Sequence, residues 1–406
     1  MLKHFLAVML LFVMGVSTYS QSIPSGTGRY TALGSSPFIL DAHVDMLNNP
    51  AWNNYYRNYA FADLTPETGA GFDGHAGVTF GVGKKWNLGF IVNRRSDSWS
   101  NFRDTSNTLF PGNVQAPIVP FMGLIGTSAS KNFHIGLAPY VAMWNSKTTS
   151  TDTTVGNNDA SSSSMGANLG FIYMIKKGWI EGAFNFRMNK YKNENTVGST
   201  TTLTENDGGI EFGANFRGWI YPTKGSKVAI VPVLSFGTSS FQPKSTAGST
   251  TVTGLNYSWM NIGGGVGLNW PIMDDIQIAG GVTAFYNTAK ADSGNIEIKS
   301  TDFIAPNFHM AVETRIADWL TGRLGFSKGI NSESNKVTAG TTTGEQSGLL
   351  PVNASSISLG AGFHFGRLSL DATISERWFR HGFNFLSGGD NEDMFGVISA
   401  SYNFAK

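Results

Sequence analysis

The chain contains no cysteine and little charge, and each shortage removes options. Without Cys there is no disulfide, no thiolate metal site, and no thiol to carry a lipid behind an export signal. Charged residues make up only 14% of the 406 positions, and 29 Lys and Arg nearly match 28 Asp and Glu, for a net charge of +1. That balance gives no electrostatic footprint for nucleic acid, so none is expected as a partner. No apolar run reaches the roughly twenty residues that a membrane-spanning helix needs. The longest, Phe5 to Val16, falls well short, and Gly, Ser, Asn or a charge interrupts every later stretch. Mean hydropathy of −0.10 with 41% hydrophobic residues fits neither a disordered chain nor a helical membrane protein.

The short apolar run has a different use. Met1-Leu-Lys3-His4 is a cationic start, Phe5 to Val16 an apolar centre, and Ser17-Thr-Tyr-Ser20 a stretch of mostly small residues suited to cleavage. Residues 1–20 therefore read as a secretory signal peptide.

What the chain has in quantity is alternation. From Phe72 to Phe404 one unit recurs, a run of alternating apolar and polar residues followed by a turn. The last copy places Met394, Gly396, Ile398, Ala400, Tyr402 and Phe404 on one face and Ser399, Ser401 and Asn403 on the other. Period-two alternation sorts side chains onto the two faces of a sheet. Sixteen such runs can be laid out, from Tyr56–Leu64 to Met394–Phe404. They are joined alternately by short turns and by longer stretches rich in Ser, Thr, Gly and Asn. The long class comprises 96–116, 146–164, 193–207, 242–255, 287–300, 331–354 and 381–393. This pattern predicts an all-β, antiparallel up-and-down transmembrane β-barrel of about 14–16 strands over residues 55–406. The short turns then lie on the periplasmic side and the long loops outside. The 49 glycines permit curvature and close packing, and the 29 phenylalanines supply interfacial aromatics.

Charge decides which face looks inward. Glu181, Arg187, Glu211, Arg217, Glu313, Arg315, Arg323, Asp371 and Arg377 all fall on the polar face of their strands. A Lys or Arg on the lipid face at midplane costs about 2–4 kcal/mol, so these residues should line a polar lumen. Their signs are mixed. A salt-bridged wall is the plainer reading; a selectivity filter or polar-headgroup site is the sharper one.

Residues 21–54 do not alternate. Asp41 is an N-cap candidate for a short helix ending near Asn48, and Pro50 stops it. The segment reads as a plug inside the barrel or a cover across its periplasmic mouth. Leu33-Gly34, Asp41-Ala42 and Asn49-Pro50-Ala51, set directly before a strand, resemble the start of the FadL-like outer-membrane transport family, including its PorV-type branch of the Bacteroidetes secretion system. Trp52 stands where that family usually has Gly. The resemblance implies a barrel of fourteen strands in a Gram-negative outer membrane, reached by Sec export. It implies a plug containing Asp41, Asn49, Pro50 and Ala51. It also implies either passive passage of hydrophobic compounds or service in protein secretion. Membrane lipids are the constant partner; a hydrophobic small-molecule ligand or a secreted protein is the second, according to which reading holds.

No active site emerges, and no cofactor or metal is called for. His75, His134, His309 and His364 fall on inward faces, which invites a metal or catalytic reading. They lie on separate strands, however, and a polar lumen accepts His as readily as Asn. Gly263-Gly-Gly-Val-Gly267 sits mid-strand with no helix after it, so it is not a phosphate loop. It is better read as a place where a bulky plug residue presses on the wall. Pro117, Pro120, Pro139, Pro232 and Pro306 each delete a ladder donor in or beside a strand. They mark strand ends and bulges, or else a gap through which an apolar solute leaves sideways. A channel, an assembly barrel and a lipid-acting enzyme are the three classes to separate, the last without any catalytic pattern behind it.

Overall fold

The computed structural model describes residues 27–67, 71–92, 94–95, 118–150, 156–293, 296–339, 341–351, 356–374 and 395–404. The signal-peptide reading, Pro117, Arg377 and the stretch 381–393 lie outside them. The strands are β1 (Tyr59–Glu67), β2 (Gly71–Val82), β3 (Trp86–Val92, resumed at Arg94–Arg95), β4 (Ile118–Ser130), β5 (Phe133–Thr148), β6 (Asn157–Ile175), β7 (Gly178–Val197) and β8 (Thr200–Ile220). They continue with β9 (Ala229–Ala247), β10 (Thr250–Thr253, resumed at Asn256–Met273), β11 (Ile276–Asp292), β12 (Ile296–Ala317), β13 (Leu320–Ala339), β14 (Thr342–Pro351, resumed at Ser356–Phe365), β15 (Leu368–Ile374) and β16 (Phe395–Asn403). Each pairs antiparallel with its sequence neighbours, and β1 pairs with β16, so the sheet closes as a barrel of sixteen strands. The fourteen strands implied by the family resemblance are exceeded. Residues 59 to 64 are hydrogen-bonded on both sides, to β2 and to β16, so the first hairpin belongs to the wall.

The short joins are tight. Gly83 and Gly366 take positive φ of 61° and 65° there, a backbone region that glycine enters without steric cost. At the opposite end several expected loops turn out to be strand. Residues 193–207 and 242–255 continue the ladder almost to their tips, which turn at Gly198-Ser199 and Gly248-Ser249. The polar composition was misleading because Thr is β-branched and suits a strand. Thr196 and Thr201 face each other with hydroxyls 3.0 Å apart, and Thr246 and Thr251 do so at 3.1 Å.

The two faces separate as alternation requires. Met165, Phe186, Phe212, Leu234 and Phe308 are exposed on the outside, while Asn168, Glu181, Arg323 and Asp371 are buried inside. An apolar outer belt on a closed ladder satisfies lipid, which offers no partner to a free backbone group. The interior departs from the expected polar lumen in one respect. Inward-facing Ile91, Met122, Leu124, Ile172 and Val231 are buried against residues 27–54, which fill the space that a water-soluble barrel gives to its core.

Candidate functional site

The N-terminal segment holds helix α1 (Thr27–Ala32), helix α2 (Ala42–Asn48) and a 3-10 turn (Pro50–Asn54). Helices this short are marginal alone, so caps and wall contacts must hold them. Asp41 caps α2, accepting from the backbone N–H groups of His43 and Val44 at 3.2 Å each. Asp45 accepts in return from the Asp41 N–H at 2.8 Å. Asn49 then ends one element and starts the next, its Oδ1 accepting from the Ala51 N–H at 3.1 Å. The Asn49 amide also donates to the Phe171 carbonyl and to Glu181, both at 3.1 Å. Pro50 and Ala51 lie directly on Gly136, where any side chain would collide with their backbone. Trp52, the departure from the family pattern, donates its indole N–H to Glu181.

Two ion networks tie this segment to the wall. Glu181 and Arg217 are cross-strand partners on β7 and β8, with Arg217 Nε donating to Glu181 at 2.6 Å. The same guanidinium reaches Asp45 at 2.6 Å and the Ile39 carbonyl at 3.1 Å. In the second network Arg29 grips Glu313 through two hydrogen bonds, 2.8 and 2.9 Å. Arg323 bridges Glu313 at 2.6 Å and Asp371 at 2.5 Å. Thr373 and Ser399 hold the Gly28 backbone beside them. Arg187 and Glu211 form a separate pair at 3.3 Å, with Arg187 over the Tyr140 ring.

Burial pushes the Asp41 carboxyl well above its usual range, against the pull of Arg29. Burial likewise pushes Asp45 up to about 6, opposed by Arg217 and reinforced by Glu181. Sequence reasoning placed Glu181, Arg217, Arg323 and Asp371 on the inner face but did not find their partners Arg29 and Asp45 in the N-terminal segment. The usable signal was an isolated Arg in a Gly/Ser/Thr stretch and a second Asp one helical turn after Asp41.

The four wall histidines stay apart. His134 bonds Ser128, His309 bonds Thr283 and Asn307, and His364 bonds Thr321 and Ser369. His75 instead meets His43 of α2. At the glycine run, Phe38 packs on Gly267 and on Gly281 of the next strand, where no Cβ would fit. Pro139 stays in register with Ala167, whereas other strand prolines sit at breaks in the pairing. Pro120 and Pro306 fall inside register shifts, and pairing with β8 skips Pro232.

The segment leaves space on both sides. Towards the short turns lies a cavity of about 930 Å³, walled by Trp52, Tyr55 and Tyr56 of the segment and Trp179, Trp219 and Tyr221 of the barrel. Trp179 and Trp219 stack at 5.5 Å, and Trp52 meets Trp179 edge-on. The buried indole N–H of Trp179 has no partner among the described residues. Arg29, Glu313, Arg315 and Arg323, with Lys227, Asp274 and Asp275 nearer the turns, make the rest of the wall polar. A smaller space of about 270 Å³ lies beside Val44, Asp45 and Asn48.

No family model matches this chain, and no curated protein matches it. Among solved structures it is similar to a Pseudomonas aeruginosa FadL homologue, at 10% identity over 94% of this chain and 99% of that one, with a TM-score of 0.45. It is similar to the Pseudomonas putida toluene transporter TodX, at 10% identity over 95% and 100% of the two chains and a TM-score of 0.41. The ferric yersiniabactin uptake receptor FyuA from Yersinia pestis follows, at 8% identity over 85% and 79%, with a TM-score of 0.39. At such identities the likeness is one of barrel architecture.

Proposed function

We propose that this chain is an outer-membrane channel, exported through its N-terminal signal, that admits a hydrophobic or amphipathic small molecule. In this reading residues 27–54 are its plug. The observation that carries the reading is the aromatic cavity between segment and wall. Its volume of about 930 Å³ suits a small organic ligand, and aromatic walls facing a charged side fit an amphipathic one. The Arg29–Glu313 side receives a polar head. The two ion networks keep water from passing freely, so solute entry must displace the plug locally rather than flow past it.

Binding of an anilinonaphthalene probe to detergent-purified protein, followed by quenching of tryptophan emission, tests this reading. Saturable quenching that weakens in Trp219→Ala is expected, together with higher single-channel conductance when 22–49 are removed. A wide, steady pore in the intact protein would point to a general porin instead.

A second reading has one feature in its favour. The hairpins β7–β8 and β9–β10 run on as polar ladders well past the apolar belt and offer a raised rim to a protein partner. Secreted proteins retained by a barrel that binds no probe would favour a PorV-like role in secretion or surface assembly.

A further inference from the structure

Asp63 of β1 and His75 of β2 are direct cross-strand partners, and both project into the barrel. Helix α2 lowers the fully buried His43 onto this pair. His43 Nδ1 lies 2.5 Å from Asp63 Oδ2, and His43 Nε2 lies 2.9 Å from His75 Nε2. The same Asp63 oxygen is 3.3 Å from His75 Nε2. Phe61, on the inward face two residues before Asp63, packs on the His43 ring at 3.9 Å and fixes its orientation.

A simple imidazole–imidazole hydrogen bond would set the two rings end to end. Here the centroids are 4.7 Å apart, the planes are inclined at 52°, and the nitrogens are 2.9 Å apart. The rings therefore lean together, and both Nε2 atoms and an Asp63 carboxylate oxygen lie close enough to share one ion. Two imidazoles held by one metal at about 2.0–2.1 Å lie about 2.9 Å apart at the right angle of a tetragonal Cu²⁺ site and about 3.3 Å apart at the tetrahedral angle of Zn²⁺, so the observed separation needs only a small opening to admit either.

We propose that His43, His75 and Asp63 form a binding site for a divalent transition metal of imidazole preference, the class of Zn²⁺ or Cu²⁺. The two Nε2 atoms are the primary ligands. Asp63 accepts from His43 Nδ1–H, the carboxylate–histidine arrangement that orients and strengthens a metal-bound imidazole. A small rotation brings its oxygen, already near His75, into the ligand set. Water completes the coordination from the side where His75 is 19% accessible. Two nitrogens and one carboxylate do not suit Ca²⁺ or Mg²⁺, which demand oxygen ligands. A bound ion would fasten α2 to β1 and β2, and it does so whatever the barrel transports.

The test uses the full-length barrel in detergent, purified without a polyhistidine tag and stripped with chelator. Titration with Co²⁺, read by visible absorption, should saturate at one equivalent and be reversed by Zn²⁺. Hydrogen exchange in residues 42–48 should slow on adding Zn²⁺. His75→Ala, at the accessible ligand, should abolish both signals while the heat-modifiable barrel band persists. Asp63→Asn should weaken binding about 10–100-fold, the usual effect of losing such a partner. His134→Ala should behave as wild type. No saturable Co²⁺ signal, or a signal unchanged in both His75→Ala and His43→Gln, overturns the proposal. If His43→Gln does not assemble, His75→Ala alone decides.

Discussion

Arg217 and Asp45 meet at 2.6 Å, joining strand β8 to helix α2 where Asp45 is buried and Arg217 largely so. The guanidinium is already held by Glu181, so one cation serves two carboxylates. Removing one partner of a buried ion pair costs about 3–5 kcal/mol, because the remaining charges lose their compensation. Arg217→Met should therefore free the N-terminal segment while the sixteen-stranded wall, closed by its own ladder, survives. Faster hydrogen exchange across residues 42–48 and frequent channel openings in planar bilayers are expected. Adding Asp45→Asn and Glu181→Gln should restore part of the protection, since the stranded charges are then gone.

Packing gives a second handle on the same segment. Phe38 occupies the space that side chains at Gly267 and Gly281 would need. Gly267→Val should expel the ring and cost about 1–3 kcal/mol of overpacking. Phe38→Ala in the same chain should recover most of that loss. Gly264→Ala, whose nearest neighbour is the flexible Leu234 side chain, should be mild. Thermal unfolding of the four proteins side by side checks the pattern; equal losses at Gly267 and Gly264 would contradict it.

The wall was legible in the sequence because it obeys one local rule. Alternation places Glu181, Arg217, Arg323 and Asp371 inward without knowledge of any partner. Closure was not legible in the same way, since β1 gains its second neighbour only from β16, more than 330 positions away. The interior was less legible for a related reason. Arg29, His43 and Asp45 act through contacts with strands that alternation orders but does not bring near, and the apolar patch at Ile91, Met122 and Ile172 makes sense only once a segment covers it. Ser/Thr-rich hairpin arms read as loops because their stabilising partners are cross-strand hydroxyls rather than apolar side chains.

Acidity should act on the docking of the N-terminal segment in a defined direction. Free in water, Asp45 titrates near 3.8; docked, it is pushed up to about 6 by burial, with Arg217 opposing. Between those values the docked segment holds a proton that the free segment does not. Docking therefore strengthens as pH falls from about 6 to 4, by up to about 3 kcal/mol, and is weaker at pH 7. Asp41 shifts in the same sense. Channel openings should be rarer at pH 5 than at pH 7.5, and Asp45→Asn should flatten the dependence. More frequent openings on acidification would reverse the assignment.

The absence of cysteine makes orientation directly measurable, because any introduced thiol is the only one in the chain. Ser199 and Ser249 lie at exposed tips of the long hairpins, and Lys224 lies in an exposed turn at the other end of the barrel. Bacterial barrels place short turns in the periplasm and long connections outside. Ser199→Cys and Ser249→Cys should react with a membrane-impermeant maleimide on intact cells. Lys224→Cys should react only after the outer membrane is opened. All three positions are solvent-exposed turns with no buried partner, so assembly should be unaffected and the labelling alone carries the result. Labelling of Lys224→Cys on intact cells, with the two hairpin tips silent, would invert the topology. It would also put the aromatic cavity at Trp179 and Trp219 on the cell-surface side, where a solute would meet it before residues 27–54.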